Sequence, residues 1–201
     1  MNSIEISEAE QRRAFRGVMD ACDFQKMLPD RLFVGLWSGF LFFQSDYVFS
    51  PDFANIVREF MDLEGAKVTC LLNLDKTETA GFDGAASLFI DATMDGAAYQ
   101  ERLRAGGPAV GWLFDVDRYV CASDVGEWCI YCEKSNDVAV IGLREPDGRR
   151  KFELPLEHLA AKPIEDLIEG GRSPLFPFDR LVSDWREGLV DHYGLGAWDK
   201  R

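Results

Sequence analysis

Apolar residues recur at two spacings along the chain, and the switch between them marks out the elements. Phe15, Val18, Met19 and Cys22 fall at helical intervals behind Ser7 and Glu10, which form a capping box, so a first helix is expected from about Glu8 to Cys22, ended by Pro29. A second stripe, Phe53, Ile56, Val57, Phe60 and Met61, follows Ser50 as N-cap and Pro51 at the first helical position, and Gly65 stops it. Between these helices, Leu32 to Trp37 and Phe40 to Phe43 are β-prone aromatic runs. Ser38-Gly39 suits a two-residue turn pairing them as a hairpin, with a continuation through Tyr47 to Phe49.

Further along, Val68 to Leu74 and Ser87 to Asp91 have strand length, and the intervening Asp75 to Ala86 shows no period. A structureless connection of that length is uncommon in a compact domain and points to a role for the segment itself. A short helix is expected from Asp95 to about Arg104. Val110 to Ala122 then leads into a meander completed by Trp128 to Cys132, a polar turn, and Val138 to Ile141. That last hairpin is apolar on both faces and belongs inside a sheet covered on two sides. Leu156 to Ala161 and Pro163 to Glu169 read as two short helices. A final helix from about Phe178 to Tyr193 carries the stripe Phe178, Leu181, Val182, Trp185 and Leu189 and stops at Gly194. With no repeat and no Gly/Ser linker, residues 1–201 are expected to form a single α+β domain. Its sheet, mixed or largely antiparallel, would have about six or seven strands with the Trp128 hairpin at the centre and about five or six helices packed on it.

Charge narrows the range of partners. The net charge is −13, and residues 51 to 100 hold nine acidic against three basic side chains, −6 of that total. Such a surface opposes nucleic acid phosphates and anionic membranes but suits a basic protein. The longest near-apolar run, Leu32 to Phe43, is too short to span a bilayer, and the first residues carry no apolar signal core. Five cysteines, an odd number, fit a reducing compartment, so a cytoplasmic protein is expected. Cys22, Cys70 and Cys121 lie in apolar surroundings and read as small core residues.

Two stretches carry candidate chemistry. Trp128-Cys129-Ile130-Tyr131-Cys132 has the W-C-x-x-C spacing of a thiol–disulfide oxidoreductase, in which the first cysteine opens a helix that favours its thiolate. Here a polar turn and an apolar run follow instead. On a strand Cys129 and Cys132 point to opposite faces, which suits neither a disulfide nor a shared metal. Zinc needs about four ligands, and besides these two cysteines the chain offers His158 and His192, both far away in sequence. The second stretch, Asp115-Val116-Asp117 after Val110, Trp112, Leu113 and Phe114, resembles the nucleophile motif of haloacid-dehalogenase-type phosphatases. The resemblance implies an apolar strand delivering Asp115 as nucleophile and Asp117 as acid/base beside magnesium, with Lys151 or Lys162 and Glu165-Asp166 in later roles. Tyr119 departs from the family pattern, and the motif lies more than halfway along the chain. No G-x-S-x-G, G-x-G-x-x-G or Walker A sequence is present, Arg149-Arg150-Lys151 reads as a solvated loop tip, and the Trp198 tail is expected to dock on its own domain.

The leading expectation is therefore a non-catalytic protein, without cofactor or metal, that binds a basic protein partner through Asp75, Glu78, Phe82 and Asp83, in the manner of acidic inhibitors and immunity proteins. A magnesium-dependent phosphohydrolase using Asp115 and Asp117 comes second, and a redox or zinc protein built on Cys129 and Cys132 third. Oligomeric state is left open by the sequence.

Overall fold

The computed structural model describes residues 6–76, 81–107, 111–169 and 182–195. Six strands form one sheet in the order β1-β6-β5-β4-β2-β3, every neighbouring pair antiparallel: β1 Gly39–Phe43, β2 Val68–Asn73, β3 Ser87–Asp91, β4 Arg118–Ser123, β5 Trp128–Glu133 and β6 Val138–Leu143. The Trp128 hairpin, β5 with β6, sits inside the sheet as its two-sided apolarity requires, and both strands are buried along their whole length.

Alternation along the strands feeds two separate cores. Trp128, Ile130, Cys132, Ile141 and Leu71 face one side, beneath α2 (Asp52–Glu64), α3 (Gly96–Arg104), α4 (Gly148–Lys151) and α5 (Glu153–His158). There Phe60 packs on Trp128 and Phe152 at centroid distances of 4.9 and 5.2 Å, contacts that add about 0.5–1.5 kcal/mol each beyond area burial. Cys70, Leu72, Val120, Cys129, Tyr131 and Val140 face the other side, under α1 (Glu8–Ala21), the 28–37 segment, α6 (Ile164–Glu169) and α7 (Ser183–Tyr193).

The capping signals act as read. Ser7 and Glu10 form the capping box of α1. Ser50 is extended, Pro51 is already helical, and the Ser50 hydroxyl accepts the Asp52 N–H; Gly65 leaves α2 in the left-handed region at φ 76°.

Three local expectations are corrected. Ser38-Gly39 does not join a hairpin: Leu32 to Trp37 makes a single bridge, Phe33 with Cys22, while β1 pairs with β6, Gly39 opposite Leu143. Gly35, at φ 82°, turns the 32–37 segment across the sheet face, where Phe33 and Trp37 bury their rings. The Tyr47 to Phe49 continuation is a 3-10 helix, Ser45–Phe49. Of the strand expected from Val110, which itself lies outside the described residues, residues 112–115 form a turn and β4 begins at Arg118. The helix expected from Phe178 is described from Ser183, and the Trp198 tail lies outside the described residues.

Candidate functional site

The irregular segment after β2 divides into a structural half and an exposed half. At the strand end, the Asn73 side chain donates to the Trp112 carbonyl at 2.9 Å and Lys76 Nζ to that of Gly111 at 2.9 Å. Asp75 completes the fastening. Its Oδ2 accepts the backbone N–H groups of Asp117 and Arg118 at 2.6 and 2.8 Å, and its Oδ1 pairs with Arg118 Nε at 3.1 Å. Asp75 therefore spends its carboxylate inside the chain, pinning the 111–118 turn to the sheet.

Phe82 and Asp83 lie on a 3-10 turn, Phe82–Gly84, against the N-terminal half of α1. The Phe82 ring meets Phe15 edge-on at 5.5 Å and Phe89 of β3 at 6.0 Å, and the Arg12 guanidinium stacks over it at 4.3 Å. Arg12 also bonds Glu8 at 2.7 Å and Asp83 at 3.2 Å. One cation thus bridges two carboxylates whose side chains remain 69% and 85% exposed. These three side chains carry a net charge of −1 and rest on an aromatic base. Glu78 lies outside the described residues. Arg12 was not legible as part of this site; its i to i+4 spacing from Glu8 signals a helix pair, not a contact with Asp83.

Asp115 and Asp117 do not share the strand face that two-carboxylate chemistry requires. Asp115 sits in the left-handed region at φ 54°, exposed, on the turn that precedes β4. Asp117 caps the β5–β6 turn, its Oδ1 accepting Ser135 N–H at 2.7 Å and its Oδ2 the Ser135 hydroxyl at 3.3 Å. Lys151 is engaged elsewhere, with Glu127. Among the described residues no cluster of three or more His, Cys, Asp or Glu is placed to hold a metal ion.

Cys129 and Cys132 lie in different cores, on opposite faces of β5, and all five cysteines are free and buried. Burial pushes the thiols of Cys70, Cys121 and Cys132 up, away from the thiolate. His158 Nδ1 meets Glu59 at 2.9 Å, and His192 Nδ1 meets the Pro29 carbonyl at 2.7 Å, so the two histidines serve different surfaces. Two carboxylates that the sequence did not single out sit in hydrogen-bond networks: Glu133, fully buried, and Glu64, half-buried beneath Trp128. No described helix is long and apolar enough to cross a membrane.

No family model matches the chain, and no match is found among curated proteins or solved structures.

Proposed function

We propose that the protein acts by binding another protein, covering a basic surface with the acidic ridge around Asp83. The observation that carries this reading is the Glu8–Arg12–Asp83 arrangement on the Phe82 ring, which presents carboxylates on a fixed support. A preorganised charged surface loses little side-chain entropy on docking and steers an oppositely charged partner during approach. Asp75 has a supporting role: it fastens the neighbouring turn and does not meet the partner. Five free, buried cysteines suit work in a reducing, cytoplasmic setting.

The test is kinetic. A partner captured by cross-linking is purified and mixed with the chain in stopped flow at several salt concentrations. Association should slow as salt rises, and Glu78→Lys with Asp83→Lys should slow it by about tenfold at low salt with little change in dissociation. An association rate that ignores both salt and charge reversal rejects the reading.

A further inference from the structure

The two edges of the sheet are finished differently. On β1, Phe42 exchanges both backbone hydrogen bonds with Lys162, at 2.7 and 3.0 Å, so that edge is partly covered. On β3 the alternation is fixed by the Asn73 N–H donating to the Ala86 carbonyl at 3.0 Å, continuing the register Leu72 opposite Ser87. Ala86, Leu88 and Ile90 therefore turn their backbone groups toward β2, whereas Ser87, Phe89 and Asp91 turn theirs off the sheet. The Ser87 N–H folds back on Ala85 and the Asp91 carbonyl accepts Met94 N–H. The Phe89 N–H and carbonyl, the Ser87 carbonyl and the Asp91 N–H have no hydrogen-bond partner among the described residues. An unpaired edge of this kind is a template for another strand.

Beside this edge runs a groove of about 340 Å³ lined by Ala86, Ser87, Phe89, Arg102, Ala105 and Trp112. Trp112 is 5% exposed, and its indole N–H is buried without a hydrogen-bond partner among the described residues. The β3 edge thus offers, beside this groove, the hydrogen-bonding groups that an extended backbone satisfies.

We propose that β3 receives an extended segment of the partner protein as a seventh strand, with basic side chains on the face shared by Phe89 and Phe82, next to Asp83. The proposal rests on the binding reading above and specifies how the partner docks. Phe89 and Phe82 lie 6.0 Å apart, so a strand added at Phe89 carries its same-face side chains toward the acidic ridge. Charge decides against a second copy as occupant. Pairing β3 with β3 across a twofold would bring together two chains of net charge −13, each with Asp83 and Asp91 beside the seam.

The probe is a capped peptide of about nine residues in which Lys alternates with Val, titrated calorimetrically into the full chain. Binding is expected, and N-methylation of alternate amides, which leaves charge and side chains intact, should weaken it tenfold or more. Phe89→Pro removes the outward N–H and should bind at least tenfold more weakly than Phe89→Ala, which controls for the lost ring. Equal affinity for the methylated and parent peptides overturns strand addition; if Asp83→Lys still weakens binding, the acidic-surface reading survives it. Loss in Phe89→Pro with Asp83→Lys indifferent keeps the edge and removes the acidic ridge. Failure of the parent peptide to bind overturns the proposal, as does a chain dimer in sedimentation that Phe89→Pro dissolves.

Discussion

The Glu133 carboxylate accepts the Leu28 backbone N–H at 2.7 Å, tying the end of β5 to a loop that lies 105 residues earlier. Tyr131 Oη and Asn136 Nδ2 donate to the same fully buried group at 3.1 and 2.9 Å. Burial pushes the carboxyl up from its usual range against these three donors. Glu133→Ala strands the donors without an acceptor and should cost about 2–4 kcal/mol by urea denaturation, with early proteolysis in residues 23–30. Glu133→Gln keeps one acceptor oxygen, avoids desolvating a charge, and should cost less than half as much.

Asp75 makes a parallel prediction for the 111–118 turn. Asp75→Ala leaves the Asp117 and Arg118 N–H groups without their acceptor, and a loss of about 1–3 kcal/mol is expected in chemical denaturation. Because the residue acts within the chain, partner association should be unchanged once the variant is folded. A slowed association comparable to that of Asp83→Lys would put Asp75 back in the interface.

Glu64 gives the chain a pH dependence of defined sign. Its Oε1 accepts Trp128 Nε1–H at 2.8 Å and its Oε2 the Glu127 N–H at 3.2 Å, yet burial dominates and pushes the carboxyl up to about 7 from 4.5. The folded chain therefore keeps a proton that the unfolded chain releases near 4.5. Stability from this group falls as pH rises from 4.5 through 7 and is level above that. With allowance for partial exposure the loss is about 2–3 kcal/mol. Glu64→Gln should flatten that part of the profile and be the more stable protein at pH 8, as urea midpoints at pH 5 and pH 8 would show.

The elements legible in the sequence were those whose period is long and whose ends carry their own signals. Ser50, Pro51 and Gly65 bracket the α2 stripe, and the polar turn between β5 and β6 brackets two runs that both need burial. Leu32 to Trp37 misled because aromatic content gives β-propensity without naming a partner. The partner of the adjacent β1 is β6, about a hundred residues away, and that choice is made by long-range packing. Around Asp115, Trp112 and Val116 are buried on a turn that Asn73 and Leu103 hold by hydrogen bonds, a burial that local periodicity cannot distinguish from a strand. The acidic segment was legible as charge; the division between Asp75, whose carboxylate is taken up by the 117–118 backbone and Arg118, and Asp83, whose side chain stays 85% exposed beside Arg12, depends on residues distant in sequence.

All five thiols should be slow in the native chain. Each is buried and free, and burial holds Cys70, Cys121 and Cys132 away from the reactive thiolate. Labelling with a chromogenic disulfide at pH 8 should proceed at the rate of unfolding, and five equivalents should react at once in denaturant. One or two fast thiols in the native protein would restore a redox role for Cys129 or Cys132.

Gly142 tests why the 32–37 segment departs from a strand. It lies in β6 opposite Phe40, and a Cβ built there would stand 2.9 Å from both Phe33 Cε1 and Trp37 Cε3. Those rings cannot withdraw easily. Phe33 packs on Trp37, Phe40 and Tyr193, and the Trp37 indole donates to the Val34 carbonyl at 2.8 Å while Arg144 stacks on its face. Gly142→Ala should therefore cost about 1–3 kcal/mol by overpacking, even though alanine suits a strand better than glycine does. Pairing the substitution with Phe33→Leu should recover part of the loss, because the smaller side chain vacates the contact. Full stability in Gly142→Ala alone would mean that the segment lies off the sheet in solution, and the closed face over Cys129 and Val140 would go with it.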